Sequence, residues 1–212
     1  MNKESQVYKC TTIDDCSPLP IMKRKLDLVL LRYMAQRILE TLRLPDPLAN
    51  TTQPLLYFLE ERHQHTHRVV IYKPQELLLG SSLVFVGFIS GRQKPLSHSV
   101  LEEIRVVDKQ LITELASNPG LLSYSSLQLC TGNWCNLVLL SDVGAKTHFR
   151  TDETHRYAAR QLAPRFYEWI RLHTGVMPGG LACNEAILRS TKFYTFRGEQ
   201  FESSIQELVY QV

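Results

Sequence analysis

The sequence predicts an α+β domain whose elements alternate β-α-β-β-α-β behind an N-terminal helical extension. Three observations carry that prediction. Leu83 to Ile89 is apolar and β-rich on both parities, the pattern of a strand covered on both faces. Leu121–Cys130 and Trp134–Leu140 read as two strands joined by a tight turn at Thr131-Gly132-Asn133. Stretches of helical periodicity follow Pro95 and Thr151 and separate these strands from one another and from a last one.

In chain order, residues 1–18 show little periodicity and read as loosely ordered. From Leu19 to Leu44 the chain has good helix formers; Leu28, Leu31, Ala35, Ile38 and Leu42 make one apolar stripe. That stripe needs cover, from the main domain or from a partner. Its basic neighbours Lys23, Arg24, Lys25 and Arg32 also suit a membrane surface, although Asp27 and Glu40 dilute the charge. Pro45-Asp46-Pro47 ends the helix, and Leu55 to Arg62 reads as further helical turns. We place the extension and linker at 1–62 and the α+β domain at 63–212. Ser99 and Glu102 have capping-box spacing ahead of the stripe Val100, Ile104, Val107, Leu111 and Leu115; Asn118-Pro119-Gly120 closes that helix. A second helix is expected from Thr151 or Asp152 to Gly175, kinked or restarted at Pro164, before the strand EAILRSTKFYTF. The order is the split βαβ pattern of a ferredoxin-like domain.

Composition excludes several classes. Lys and Arg number 24 against 21 Asp and Glu, too small an excess for a nucleic-acid surface. No apolar run reaches the roughly 18 residues of a membrane span, and the N-terminus lacks a secretory core, so a cytoplasmic protein is expected. Cys10, Cys16, Cys130, Cys135 and Cys183 have no zinc-ligand spacing and read as reduced thiols, at least two of them buried. His63, His65 and His67 alternate, which on a strand gives one face of imidazoles: a metal site or an exposed strand start. Walker, GxGxxG, HExxH and GxSxG motifs are absent.

The candidate site lies between the paired strands and the second helix. Read as helical, His155, Ala159, Leu162, Phe166, Trp169 and His173 share one face, with an imidazole at each end. His155 is the candidate base, and His155 or His173 a candidate metal or cofactor ligand. Trp134 beside Asn136, with Tyr124 on the neighbouring strand, suits a flat apolar ligand; Trp134 equally suits a dimer interface. Arg156, with His148 and Arg150, flanks the helix entry and suits a carboxylate. Cys135 has no base near it in sequence.

From about Ser81 to Gly198 the element order resembles the dimeric α+β barrel superfamily, which includes antibiotic-biosynthesis and haem-degrading monooxygenases. The resemblance implies a homodimer and a small-molecule substrate, with either no cofactor or haem. It also implies that Trp134 and His155 fill the Trp and His roles of the haem-degrading branch. The Asn which that branch carries on its first strand is missing, and Gly87 and Ser90 stand there instead. A homodimer is also expected because two apolar sheet faces need more cover than two helices give. Three readings stand together: a small-molecule enzyme, a haem protein, and a non-catalytic partner-binding protein docking through the N-terminal helix.

Overall fold

A computed structural model describes residues 18–44, 54–62, 65–148, 153–197 and 202–210. Its centre is one antiparallel sheet of eight strands. Helix α1 spans Pro18–Leu42, β1 Leu55–Glu60, β2 Thr66–Ile71, α2 Pro74–Leu79, β3 Ser82–Arg92 and α3 His98–Leu115. β4 is Leu121–Gln128, β5 Trp134–Leu140 and α4 Ala145–His148. Next come α5 Glu153–Tyr157, a π-helical turn Ala158–Leu162 and α6 Ala163–Phe166. β6 Tyr167–Pro178, α7 Gly180–Cys183, β7 Ile187–Arg197 and β8 Glu202–Val209 complete the chain.

The spatial order is β1-β2-β4-β5-β3-β6-β7-β8. Within it, β4-β5-β3-β6 with α3 and α5–α6 forms the expected ferredoxin-like βαββαβ unit, with β6 as its fourth strand in place of the expected strand EAILRSTKFYTF, which is β7. The hairpin β1–β2 extends it beside β4, and β7–β8 extends it beside β6. The expected boundary after residue 62 falls inside the β1–β2 hairpin.

Three expectations are corrected. Leu55 to Glu60 is a strand paired with β2, not helical turns. The second helix stops at Phe166, and residues 167–178, read as its second half, form β6 between β3 and β7. Pro164 restarts the helix for one turn, after which YEWIRLHTGVM is rich in the aromatic and β-branched residues that strands favour. Gly175 therefore sits within a strand rather than closing a helix. The first-turn cap of α3 is Ser97, whose Oγ accepts from Val100 N, rather than Ser99.

α1 lies across one sheet face. Leu31, Met34, Ile38 and Leu42 pack on Val69, Ile71, Leu83, Phe85, Leu137 and Leu139, all essentially inaccessible to water. Of the two covers expected for the stripe, main domain or partner, it is the chain's own sheet that supplies it, so cover for which a dimer was expected comes from within the chain.

Two polar groups of residues are sealed under α1. Asp27 accepts from Arg171 Nε at 2.6 Å and Nη2 at 2.7 Å and lies 2.9 Å from His173 Nε2; His173 Nδ1 is 2.8 Å from Thr191 Oγ1. Burial alone would raise the Asp27 carboxyl; hydrogen bonds from His173 and Arg171 outweigh it and hold the group below its ordinary range. Further along the helix, Glu61 accepts from Arg37 Nε at 2.9 Å and from the Tyr33 hydroxyl. It also lies 2.8 Å from His67 Nδ1, whose Nε2 is 2.7 Å from Ser125 Oγ. Burial pushes His67 below its ordinary value despite the carboxylate beside it.

Of the alternating histidines, His67 is not available to a metal ion. His67 is buried with both ring nitrogens engaged, His63 lies outside the described residues, and no cluster of three or more His, Cys, Asp or Glu suited to a metal ion occurs among the described residues. Of the described thiols, Cys130 and Cys183 are exposed and Cys135 is buried, with burial pushing it up to about 12, so it carries no thiolate at neutral pH. Cys10, Cys16, Arg150, the residues 1–17 read as loosely ordered, the Pro45–Pro47 stop and the expected helix start at Thr151 or Asp152 lie outside the described residues.

Candidate functional site

The opposite sheet face is covered by α3, α5, the π-turn and α6, and it is built differently. Along the middle of β3 accessibility alternates: Leu83, Phe85, Gly87 and Ile89 are buried toward α1, while Val84, Val86 and Phe88 keep part of their surface accessible. Cys135, Leu137 and Leu139 are buried in the same way, while Trp134, Asn136 and Val138 are not. Sheet and helices on this side do not close fully on each other.

Strand register aligns one row of side chains across this gap. Arg68 on β2 pairs with Ser126 on β4, Ser126 with Asn136 on β5, Asn136 with Phe88 on β3, and Phe88 with Leu172 on β6. Half the row is polar and half apolar. α3 roofs the polar half: Asp108 accepts from Arg68 Nη1 at 2.7 Å and Nη2 at 2.8 Å, a bidentate pair that fixes the guanidinium plane. The Arg68 guanidinium also stands 5.7 Å from the Tyr124 ring centre. Over the apolar half, Tyr167 packs edge-on against Phe88, with ring centres 5.2 Å apart, and against Phe166 at 4.8 Å. Leu162 and Phe166 join Val100 and Val107 in the apolar roof, with Trp134 against it.

Two atoms of the row are shielded from water and bonded to nothing: Arg68 Nε and Asn136 Oδ1. An unpartnered buried donor or acceptor costs about 1–3 kcal/mol, so a stable fold normally satisfies it. Both atoms belong to the partly open side, one an acceptor and the other a charged donor.

The tyrosines complete the lining. Burial, and then the charge of Asp108, pushes the Tyr124 phenol up to about 12 against the opposing pull of Arg68. Burial also raises Tyr167, with Tyr124 and Asp108 adding to the effect. Both phenols therefore keep their protons at neutral pH and act as donors. Deep position combined with partial accessibility marks residues that wall an internal space.

Comparison with known proteins returned one likeness and two blanks. No family model matches, and no curated protein matches. Among solved structures, the chain is similar to a variant of SnoaB, a cofactor-independent oxygenase from Streptomyces nogalater, at 14% identity and a TM-score of 0.33. That match covers 46% of this chain and 91% of the other.

Of the residues expected to bind substrate, Trp134, Asn136, Tyr124, Leu162 and Phe166 lie on the inner side of this layer, Trp134 in one apolar cluster with Leu162 and Phe166. Ala159 and Arg156 do not: both are exposed on the outer side of the helical layer. His155 is half-buried in α5, next to Thr154, whose Oγ1 donates to Glu114 Oε1 of α3 at 2.7 Å. His173 is not on a helix face with His155. It lies in β6 on the other side of the sheet, 1% exposed, between Asp27 and Thr191. Of the two expected axial haem ligands, His173 is therefore sealed under α1 with both nitrogens engaged. Arg68, Asp108, Ser126 and Tyr167 belong to the site but were not expected there. Arg68 reaches it through long-range β2–β4 pairing, and Tyr167 through the early end of α6.

Proposed function

We propose that the space between the sheet and α3, α5 and α6 binds a small, largely aromatic molecule and holds it for monooxygenase-like or proton-transfer chemistry. The observation that carries this reading is the pair of unbonded atoms, Arg68 Nε and Asn136 Oδ1, in a row whose other end is Phe88 and Leu172. The ligand that fits offers an acceptor to Arg68 and a hydroxyl or N–H to Asn136, and lays a ring against Phe88, Trp134 and Tyr167. Arg68 and two protonated phenols favour a carbonyl oxygen or one gaining negative charge, the pattern by which proton removal from a ring substituent is assisted. His155 enters this proposal as the base from the helical layer.

The test is a fluorescence titration of the full chain with 1-naphthol, a flat ring with one hydroxyl, beside the absorbance and native mass spectra of the purified protein. Binding should weaken roughly tenfold in Asn136→Leu, as expected for one lost buried hydrogen bond. A wild-type protein that is folded, carries no co-purifying small molecule and takes up no naphthol at millimolar concentration would remove the proposal. If 1-naphthol is consumed, His155→Gln should lower turnover while leaving its binding unchanged; an unaltered rate would remove His155 from the mechanism.

A further inference from the structure

A second cleft, of about 990 Å³, opens at the far end of β3, and none of its walls belongs to the cross-sheet row. It is bounded by residues 91–97, the β4–β5 turn, the end of α6 and the ends of β6 and β7. Three cations line it, Arg92, Lys94 and Arg165, against one acid, Glu168. Arg165 is paired with Glu103 at 2.8 Å, but Arg92 and Lys94 have no carboxylate partner among the described residues.

Arg92 is held in place by the backbone. Its N–H donates to Asn133 Oδ1 at 3.2 Å, and its guanidinium lies against Gly132 of the turn. Gly132 has φ +81°, and a Cβ there would stand 3.0 Å from the guanidinium carbon. The Arg92 Nε is shielded from water and bonded to nothing. Beside these cations stands Trp169, its indole laid on Gly91 where any side chain would collide with it. Arg171 is stacked on the indole at 4.3 Å from the ring centre. Trp169 remains partly accessible, its N–H donating to no described residue, and Phe196 adds a second ring to the wall.

We propose that this cleft binds a phosphate monoester carried on a planar ring. Two unpaired cations and a third close by match a dianion better than a single carboxylate, and Arg92 offers the planar donor set that phosphate favours. The indole and Phe196 take the ring.

The test uses the full chain with phenyl phosphate, inorganic phosphate and benzoate. Calorimetry gives affinity, and Trp169 fluorescence in a Trp134→Phe background reports the location. Phenyl phosphate should bind most tightly, quench Trp169, and weaken as salt rises. Arg92→Met and Lys94→Met should each weaken it roughly tenfold, the loss of one charge-assisted hydrogen bond. Circular dichroism and melting temperature confirm that these variants remain folded. Trp169→Leu should erase the preference of phenyl phosphate over inorganic phosphate while phosphate itself still binds. The proposal is overturned by a folded wild type that takes up no phenyl phosphate at millimolar concentration. Benzoate binding more tightly than phenyl phosphate, or an Arg92→Met/Lys94→Met double variant of unchanged affinity, overturns it equally.

Discussion

The two faces of the sheet are made by the same strands and end up as different materials. Under α1 the alternate residues of β3 and β5 are sealed, and the buried charges there, Asp27, Arg171 and Glu61, have partners; among the described strand residues facing α1, Ser123 Oγ of β4 stands unbonded. Under α3 and α6 the intervening residues keep accessible surface, and Arg68 Nε and Asn136 Oδ1 are left open. A sealed face must satisfy its polar atoms at folding, because nothing arrives later to do so. On the function proposed above, a face that leaves a charged donor and an amide oxygen unsatisfied has them satisfied by a ligand after folding.

The contrast can be broken most forcefully at Asp27. Replacing it by Ala leaves Arg171 and His173 without their acceptor, and should cost about 3–5 kcal/mol in urea unfolding; a loss under 1 kcal/mol would show that water already reaches this face. Next comes paired truncation. Ile38→Ala on the sealed side should cost about 2–5 kcal/mol, whereas Val86→Ala on the other should cost about 1 kcal/mol, because its surroundings already contain space. Equal costs would make the two faces alike. Enlargement sharpens the difference: Ala35→Leu should cost about 1–3 kcal/mol, and Val86→Phe should be close to neutral while blocking naphthol uptake.

The smallest effect is one of pH. The fold favours neutral His67, while the unfolded chain takes up its proton near the ordinary value of 6.5. Stability should therefore fall as pH drops from about 7 toward 5, and His67→Gln should flatten that dependence. Glu61, Arg37 and Ser125 surround the ring, and Glu61, held low, stays charged throughout this window. A urea midpoint rising on acidification would reverse the sign and refute the assignment.

Local pattern made much of this legible in the sequence. β3, α3, β4 and β5 announce themselves through continuous apolarity, a 3.6-residue stripe and a turn at Gly132, and strand parity put Trp134 and Asn136 on one face; the β4–β5 register adds Tyr124 to that face. What was not legible was pairing at a distance. The run from Tyr167 to Pro178 contains apolar residues at both helical and strand spacing, and only its two neighbours, β3 and β7, decide between them. Leu55–Glu60 is short and apolar, equally fit for a turn of helix until β2 lies beside it. Arg68 reads as a surface residue of a hairpin because the strand that brings it to Ser126 lies 58 positions further along the chain.

The bond between Asp27 and His173 spans 146 positions, and Arg24 reaches further still, to the ring of Tyr210 at 4.8 Å. The ribosome therefore makes α1 early and its anchorage late. Until β3 and β5 have been made, the Leu31–Met34–Ile38 surface lacks the strands it packs on, and its polar anchor on β6 comes later still, a condition that favours slow, late closure and capture by chaperones. Nascent chains halted before β6 should be held by such factors, and chains released after β7 should escape them.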